Sequence, residues 1–600
     1  MAYFRRDNFS GISPAVAPRL LAEQFAQVAQ NIDFESGSIA PIKVDLTITS
    51  NLGSSASGTL NGTGRNSIFL YNHTDGNDYW LEWDGDYIKV VEGPIPGDSL
   101  GRLYWTGEAW PKMSVATAIK NNSTGPWPGV GYVLGIPAGE SGISASISGT
   151  QDADVSPEDA SWVYTFVSIF GEEGPPSPAT TAVTFTPSTQ TATVQMPNYG
   201  SAGYSSTLAA GTDAKKRLYR SNTGSTNTQF QFVKEVPYAD GSTTDNIAAA
   251  ALGEVLPSET WIGPPNNNTA LYPDGPLQGL IPVANGTFAG FTGKRFCLSE
   301  PYMPHAWPIG YRITIDEDIV AIGATGNGVV CLTNAKPYFI TGVEPAAMSA
   351  VQIDLAQACV NKHSVVDMGD YILYAGPDGL CAVSGSQGEV ITNRVISAAQ
   401  WNSDYYPTVI KAFRYENTYV ATWVDGSNEG GWVFDPRNTG QSALSIITFD
   451  DPVKGGWYNQ KDGELYLISN PSSGSDVIQK YRGGATNRTA LWKSKKYVTP
   501  KPISMGWVHL NATSFPNSGT LNKVRVWADG TLLADYTISY ASNVYTQITS
   551  TPGSISNATL REPVMRLPSA LAKEWEVEIS GVVTLEEVCL SQSMGEIKAT

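Results

Sequence analysis

Two pairs of neighbouring aspartates are the residues whose type and spacing come closest to a catalytic arrangement. Asp316 and Asp318 form one pair, and Asp450 and Asp451 form the other. Glycoside hydrolysis uses two carboxyl groups that flank a substrate cleft, one as the acid and one as the base or nucleophile. Both pairs stand beside turn sequences, where aspartate commonly accepts backbone hydrogen bonds. The structural interpretation of both pairs is therefore favoured over the catalytic one.

The other common catalytic motifs are missing from the sequence. It contains no Ser-x-Asp-x-Gly-x-x-Trp box of the kind found in sialidase propellers, no Gly-x-Ser-x-Gly elbow, no Walker loop and no His-Glu-x-x-His pair. We therefore expect a protein that is not an enzyme and that uses no cofactor.

Metal ligands are also poorly represented. Asp152, Asp154 and Asp159 could supply oxygen ligands to calcium, but their spacing does not match an EF-hand loop, so solvated loop charges are the favoured interpretation. His305 lies in an aromatic, proline-rich stretch without a second ligand nearby, which favours a structural or contact role. No zinc site or disulfide framework is indicated by the five scattered cysteines, at positions 297, 331, 359, 381 and 589.

The charge balance argues against binding of nucleic acid. The chain has 600 residues and a formal net charge of -18, with acidic residues spread along its length. Counterion release from DNA needs clustered lysine and arginine, so an acidic wall would repel DNA instead of binding it. No stretch approaches the roughly 18 apolar residues of a membrane span, and no apolar segment follows the first residues. We expect a soluble chain made without a secretion signal.

The elements that must position these residues are β-strands. Short strands rich in aromatic and β-branched residues meet repeatedly at Asp-Gly corners, as at Asp75-Gly76, Asp84-Gly85, Asp462-Gly463 and Asp529-Gly530. Tight hairpins need positive φ at the corner, and glycine adopts it without strain. The sequence therefore predicts a mostly β fold, and the numerous tryptophans and tyrosines are expected mainly in its cores.

Five regions are predicted along the chain. Residues 1–45 form an N-terminal segment with a helix over Pro18 to Ile32, because Leu21, Phe25, Val28 and Ile32 follow helical spacing. Residues 46–140 hold the first hairpins, and 126–149 is a Gly/Pro/Ser-rich connection.

The predicted fold is an irregular β-propeller with an inserted β-sandwich and a C-terminal β domain. Residues 141–270 resemble a fibronectin type III or immunoglobulin-like sandwich, with strands at Trp162 to Phe170, Lys216 to Ser221 and Phe230 to Lys234. Residues 271–490 carry blade-like units that start near Phe288, Ile319, Val365, Ile410 and Trp457. Residues 491–600 form a C-terminal β-sandwich or a ring-closing segment.

Three runs of sequence resemble one family, the tail nozzle proteins of short-tailed bacteriophages, also called tail tubular protein B. Ala29 to Pro41 is similar to the family's opening run, Ala-x-Asn-x-(Asp/Asn)-(aromatic/Leu)-x-x-Gly-x-(Leu/Ile)-x-Pro. Arg566 to Pro568, Glu574 to Gly581 and Ser591 to Ile597 resemble its closing segment, and Gly290 to Pro301 resembles its first central strand pair.

The resemblance implies a structural virion protein of the tail, assembled in the host cytoplasm. Such a chain forms a homo-hexameric ring below the portal and the adaptor (head-to-tail connector) ring. Double-stranded DNA passes through the lumen without specific binding, and tail fibres or spikes dock on the ring. Candidate assembly residues are Leu21, Phe25, Val28, Phe34 and Trp575, and Phe25→Asp is expected to impair assembly more than folding.

Two other classes of function stay open. The chain could be a receptor- or glycan-binding tail fibre or spike protein, which saturable binding on a glycan array would reveal. It could also be a propeller glycosidase, in which case Asp316→Asn and Asp318→Asn would abolish hydrolysis.

Overall fold

The fold is built almost entirely from short antiparallel strands. The computed structural model describes residues 3–53, 58–122, 124–200, 202–223, 228–426, 428–438, 444–471, 474–512, 519–541, 544–549, 558–560 and 564–598. This confirms the predicted mostly β class. The α-helices are short, at Ala116–Ile119, Ala398–Asp404 and Met594–Lys598. Single 3-10 turns lie at Ala202–Tyr204, Ala249–Ala251, Ala284–Gly286, Ile309–Tyr311, Pro345–Ala347, Lys362–Ser364 and Pro436–Asn438.

Seven small sheets follow one another along the chain, and we number them 1 to 7. Sheet 1 is a hairpin of Ser67–Asn72 and Asp78–Trp83. Sheet 2 contains Lys89–Glu92, Leu103–Thr106, Lys112–Ser114 and Tyr132–Val133. Sheet 3 contains Gln278–Val283, Thr287–Thr292, Arg295–Leu298 and Ile313–Thr314. Sheet 4 contains Ile319–Thr325, Gly328–Thr333, Tyr338–Thr341 and Ser349–Gln352.

The remaining three sheets follow the same meander. Sheet 5 contains Val366–Asp367, Ile372–Ala375, Leu380–Ser384 and Gln387–Val390. Sheet 6 begins with Lys411–Tyr415, Thr418–Asp425, Asn428–Phe434 and Ser445–Ile447. Sheet 7 contains Val453–Asn459, Glu464–Ser469, Val477–Lys480 and Leu46–Thr47. The predicted units near Ile319, Val365 and Ile410 thus start within one residue of the observed strands.

The seven sheets form a closed, propeller-like ring, because a hydrophobic cluster joins each sheet to the next. Separate clusters lie between sheets 1 and 2, 2 and 3, 3 and 4, 4 and 5, and 6 and 7. Sheets 5 and 6 share a larger cluster that includes Leu373 and Trp432. The ring closes where Trp80 of sheet 1 packs with Tyr466 of sheet 7, with ring centroids 4.7 Å apart. Stacking of neighbours buries both faces of sheets that cannot bury them alone.

The outermost strand of sheet 7 comes from the other end of the chain. Leu46–Thr47 pairs antiparallel with Val477–Lys480, so residues near the N-terminus complete the last sheet of the ring. Asp45 supports this pairing by accepting a hydrogen bond from the Arg482 backbone N–H at 2.9 Å, across 437 residues of sequence.

Three of the four predicted Asp-Gly corners are confirmed as hairpin turns, but the prediction for Asp84-Gly85 is wrong, because Gly85 has no positive φ and the flanking strands Asp78–Trp83 and Lys89–Glu92 lie in different sheets. Gly76 (φ 85°) and Gly463 (φ 76°) turn hairpins of sheets 1 and 7, and Asp529 with Gly530 turns a terminal hairpin with φ of 47° and 78°. In each case a residue with positive φ reverses the chain in the few residues available.

A separate β unit is inserted between sheets 2 and 3. Its larger sheets contain Ser144–Gly149, Gln190–Gln195 and Ser242–Asp245, and Trp162–Val167, Lys215–Thr223 and Thr228–Pro237. A pair of strands, Glu158–Ala160 and Val183–Phe185, contributes to the larger core of the unit, and a smaller cluster includes Val163, Tyr219 and Leu256.

The chain enters and leaves this unit at one point. A Cβ added to Gly135 would lie 2.7 Å from the Gly263 Cα, which places the two connections side by side. The predicted connection at 126–149 is wrong in part, because Tyr132–Val133 and Ser144–Gly149 lie in sheets.

The terminal strands extend sheet 6 into a 12-stranded sheet. It adds Ala26–Gln30, Ala490–Ser494, Tyr497–Ile503, Gly519–Ala528, Thr531–Ala541, Val544–Thr549, Ala558–Leu560 and Ala572–Gly581. A second sheet contains Tyr3–Arg6, Trp507–Ala512, Val564–Arg566 and Leu585–Ser591, and Ile32–Asp33 pairs with Ala40–Pro41. Both ends of the chain therefore fold together.

The predicted helix over Pro18 to Ile32 is wrong. Ala26–Gln30 is a strand that pairs antiparallel with Ala490–Ser494, and its register shifts between Ala26 and Val28. Such a bulge sets two residues against one, which moves the next buried position along the strand. As a result Ala26 and Ala29, three residues apart, are both buried, whereas Val28 of the predicted apolar face is 36% exposed.

Candidate functional site

Both aspartate pairs lie in exposed connections at the ends of sheets. Asp316 and Asp318 are exposed in the turn between sheets 3 and 4, where the Asp316 carbonyl oxygen accepts a hydrogen bond from Lys294 Nζ at 2.6 Å. Asp450 is exposed and accepts a hydrogen bond from Arg488 Nη1 at 3.0 Å. The partners in these contacts are lysine and arginine side chains, not the backbone N–H groups that the turn interpretation predicts.

The other candidate ligands occupy structural positions. Asp152 Oδ1 accepts the Asp154 backbone N–H at 2.9 Å, and the Asp159 carboxylate accepts the Thr184 hydroxyl. Within the described residues, no group of three or more His, Cys, Asp or Glu side chains is arranged to hold a metal ion. All five cysteines are buried as free thiols.

His305 lies at the contact between the inserted unit and the ring. It is buried, and its ring packs edge-on against Trp261 with centroids 6.0 Å apart. Burial lowers the pKa of His305, which keeps the imidazole neutral near pH 7. Arg102 of the ring bonds Glu172 of the inserted unit at 3.4 Å across the same contact.

A cavity lies among the first strands of the sheets. The first strand of each sheet contacts the first strand of a neighbouring sheet, so these strands surround the ring axis. The first strands of sheets 1, 2, 3, 5, 6 and 7, with residues next to them, line a cavity of 330 Å3. We call it the axial cavity. A second cavity of 490 Å3 adjoins it and shares the lining residues Phe69, Val90, Val91, Pro282, Trp457, Tyr458 and Gln460.

Cationic side chains outnumber carboxylates in the axial cavity. Its lining includes Asp86, Asp367 and His363, together with four cations, Lys89, Lys362, Lys411 and Arg414. This local excess of positive charge contrasts with the net charge of -18 of the whole chain.

Lys89 and Lys362 share an aromatic neighbour. The Nζ atoms of Lys89 and Lys362 lie 5.1 Å and 4.8 Å from the centroid of the Tyr87 ring. Burial lowers the pKa of Lys89, because removal from water disfavours the ammonium form. Lys89 has no hydrogen-bond or ion-pair partner within the described part of the chain.

Asp86 lies close to two other titratable groups of the cavity, Lys362 and His363. Its carboxylate lies 3.7 Å from Lys362 Nζ and 3.2 Å from His363 Nε2. Burial lowers the pKa of His363 to about 4, although Asp86 opposes the shift. Burial also lowers the pKa of Lys411, whose ammonium group donates to the Lys454 carbonyl oxygen.

The residues of this cluster carry no local sequence signal. Asp86 is separated from His363 by 277 residues, and the lysines occur singly on short strands. Only the pairing of sheets around the axis brings them together, so no local spacing could have revealed them.

The second feature is a junction between the two ends of the chain, centred on Asn31. Asn31 has φ 57°, and its side-chain amide donates to Thr448 Oγ1 at 2.9 Å and to the Thr489 carbonyl oxygen at 3.1 Å. Its Oδ1 atom accepts the Thr448 backbone N–H at 3.0 Å. One side chain thus ties the N-terminal segment to sheet 6 and to the strand that follows sheet 7.

Neighbours of Asn31 extend this junction. Asp33 Oδ2 pairs with Arg482 at 2.8 Å, and the buried Asp45 pairs with Arg488 at 2.9 Å. Ile39 exchanges backbone hydrogen bonds with Leu585 at 3.0 Å and 3.1 Å. Asn31 to Pro41 lie within the run that resembles the opening run of the nozzle family. Their contacts therefore fix the N-terminal segment to distant parts of the chain.

The five candidate assembly residues fall into different environments. Leu21 is 3% exposed and Trp575 0% exposed, which places both inside this chain. Phe25 and Phe34 are half-buried, and Phe34 packs against the largest core. Val28, at 36% exposure, is the most accessible of the five and lies on the strand Ala26–Gln30.

A groove on sheets 1 and 2 is lined by aromatic and charged side chains. Its volume is 290 Å3, and its lining includes Trp83, Trp105 and Trp127. Trp105 Nε1 donates to Glu108 at 3.2 Å at the exposed edge of this groove.

Comparisons with known proteins give a limited result. No family model matches the chain, and no curated protein matches it. The Neurospora crassa Pan2 WD40 domain is 7% identical, with a TM-score of 0.23, over 49% of this chain and 87% of that one. The N-terminal domain of Nup159 is 10% identical, with a TM-score of 0.22, over 50% and 89%. A GH43 glycoside hydrolase is 10% identical, with a TM-score of 0.19, over 52% and 96%. These similarities are too low to carry an argument about fold or function.

Proposed function

We propose that this chain is a tail nozzle protein of a short-tailed bacteriophage. In this proposal six copies form a ring below the portal and adaptor, DNA passes through the lumen during ejection, and fibres or spikes dock outside. The chain acts as a wall and docking platform and catalyses no reaction.

One observation supports this proposal more than any other: the two ends that resemble the family meet in space. Ile39 of the opening run pairs with Leu585, which lies between Gly581 and Ser591 of the closing segment. Gln27, just before the opening run, donates to Glu576 of the closing segment at 2.9 Å. Two unrelated chance resemblances would have no reason to lie in one junction.

The composition of the chain is also consistent with a channel wall. A net charge of -18 disfavours adhesion of DNA through Coulomb repulsion. Among the described residues, no helix combines the length and apolar character needed to cross a bilayer.

Electron microscopy and native mass spectrometry of the purified chain test the proposal. We expect six-membered rings, formed by the chain alone or on addition of an adaptor ring. A chain that stays monomeric under both conditions and is absent from purified virions would rule the proposal out.

Variants of the N-terminal segment make the assembly test more specific. Phe25→Asp is expected to reduce ring formation, and Val28→Asp tests the exposed face of the same segment. Both should leave the melting of the ring sheets unchanged if their effect is on assembly. Unchanged rings in both variants would remove this segment from the proposed interface.

We also propose that residues 141–270 form an inserted fibronectin type III or immunoglobulin-like sandwich that is dispensable for assembly. Two three-stranded sheets around the larger core, entered and left beside Gly135 and Gly263, support this assignment. Joining residue 135 to residue 263 by a short Gly/Ser linker should therefore preserve rings in electron micrographs. Loss of the folded propeller in this deletion would contradict it.

The groove on sheets 1 and 2 favours a second candidate, a receptor- or glycan-binding fibre or spike protein. The carboxylates of Glu82, Asp84 and Glu108 line the groove and can accept hydrogen bonds from sugar hydroxyl groups. Saturable binding on a glycan array that Glu108→Ala weakens would favour this candidate. Silence of the array would count against it.

A further inference from the structure

We propose that the axial cavity binds a small oxyanion, either inorganic phosphate or the phosphate group of a small ester. This inference is independent of the proposed nozzle function, because it depends only on the ring of sheets and the side chains that line its centre.

The first argument is the uneven charge of the lining. Four cationic side chains face two carboxylates there, while acidic residues predominate in the chain as a whole. His363 does not change this balance near pH 7, because burial holds its pKa far below that value. Like charges placed together in an enclosed site repel one another, and an anion between them relieves that repulsion.

The second argument is the environment of Lys89. Its ammonium group lies over the Tyr87 ring but meets no carboxylate and no hydrogen-bond acceptor among the described residues. Lys89 is half-buried, and its ammonium group has no partner in the described part of the protein that offsets the hydration it loses, whereas charges removed from water in proteins are normally paired. The lysine therefore has the donor capacity that an incoming oxyanion would use.

The third argument is the neighbouring Asp86 cluster. Asp86 engages Lys362 and His363, and Lys411 donates to a backbone carbonyl group. These contacts hold two further ammonium groups in place, so the site is organised before a ligand enters. Preorganisation of this kind reduces the entropy lost on binding.

The size of the cavity limits the ligand. A volume of 330 Å3 is at the lower end of the roughly 300–1,000 Å3 found for small-molecule sites. It accommodates a tetrahedral oxyanion with its water shell or a compact phosphate ester.

Isothermal titration calorimetry of the full chain in a phosphate-free, low-salt buffer at pH 7 tests the proposal. The probes are sodium phosphate and adenosine monophosphate, each titrated into the protein. Saturable binding of phosphate alone identifies a free oxyanion as the ligand. Competitive binding of both identifies a phosphate ester as an acceptable ligand.

Variants then locate the binding site. Lys89→Met should weaken binding at least tenfold, because a charge-assisted hydrogen bond is lost. Lys89→Arg should retain most of the affinity. Lys573→Met, which removes an exposed lysine outside the cavity, is the matched control and should change affinity less than twofold.

Two results would overturn the proposal. One is the absence of binding of either probe to the unaltered chain. The other is unchanged affinity in Lys89→Met when its circular dichroism and melting match those of the parent. If Lys89→Met does not fold, Lys362→Met and Lys411→Met give the same comparison, since each removes another cation from the lining.

Discussion

Replacement of Asn31 should release the N-terminal segment from the rest of the chain. The Asn31 side chain makes three hydrogen bonds, two to Thr448 and one to Thr489. Because both threonines are exposed, water can replace part of what is lost. We therefore assign about 0.7 kcal/mol to each bond, which gives about 2 kcal/mol for the side chain.

The backbone of Asn31 adds a second contribution. Its φ of 57° lies in the left-handed region, which alanine adopts at an additional cost of about 1 kcal/mol compared with asparagine or glycine. Asn31→Ala should thus destabilise the junction by about 3 kcal/mol, and Asn31→Gly by about 2 kcal/mol. Asn51→Ala is the matched control: Asn51 has φ 60° and an exposed side chain, so only the backbone term of about 1 kcal/mol applies.

Hydrogen–deuterium exchange is the suitable assay, because a chain of this size does not unfold in one step and exchange reports local opening. Amides of Ala26–Gln30 should exchange about a hundredfold faster in Asn31→Ala than in the parent. Exchange in the inserted unit should not change. If Asn31→Gly leaves the exchange of this strand unaltered, the three hydrogen bonds do not hold the junction and the reasoning fails.

Three further perturbations have defined outcomes. Gly455→Ala places a Cβ 2.1 Å from the Asn66 carbonyl oxygen, so hydrogen exchange of Val453–Asn459 should show a loss of about 1–3 kcal/mol, whereas Gly310→Ala, whose added Cβ meets no non-neighbouring atom of the described chain within 4 Å, should be neutral. Asp245→Asn weakens a fully buried ion pair with Arg220, so exchange of the inserted core should reveal destabilisation by up to about 3–5 kcal/mol, and intact protection would contradict the pairing. Burial lowers the pKa of His363 in the folded chain to about 4, whereas the same imidazole in the unfolded chain has a pKa of about 6.5. As pH falls below about 6.5, the imidazole is therefore protonated in the unfolded chain before it is protonated in the folded one. Up to about 3 kcal/mol of stability should be lost between pH 6.5 and 4, and urea titrations of His363→Gln should show a flatter pH profile.

Local geometry explains which parts of the fold were predictable. Asp-Gly corners such as Asp75-Gly76 and Asp529-Gly530 constrain the chain over four residues, so their hairpins could be predicted from sequence. The blade-like units near Ile319, Val365 and Ile410 were predictable for the same reason, since each is a meander of adjacent strands.

Pairing between strands that are distant in sequence explains which features could not be predicted. The pattern of Leu21, Phe25, Val28 and Ile32 fits a helix equally well, and only the partner strand Ala490–Ser494, with its bulge, determines that Ala26–Gln30 is extended. The axial cluster is equally invisible in sequence, because Asp86 and His363 are brought together by the closure of the ring.

The pairing of Leu46–Thr47 with Val477–Lys480 has a consequence for synthesis of the protein on the ribosome. The N-terminal strand must wait for a partner about 430 residues away, as the contact between Asp45 and Arg482 illustrates. At about 5–20 residues per second this delay lasts about 20–90 seconds. During that time sheets 1 to 6 can form in order while the strand Leu46–Thr47 has no partner. A nascent chain of this protein therefore presents an unpaired edge for most of its translation, and it would benefit from a chaperone until sheet 7 has emerged.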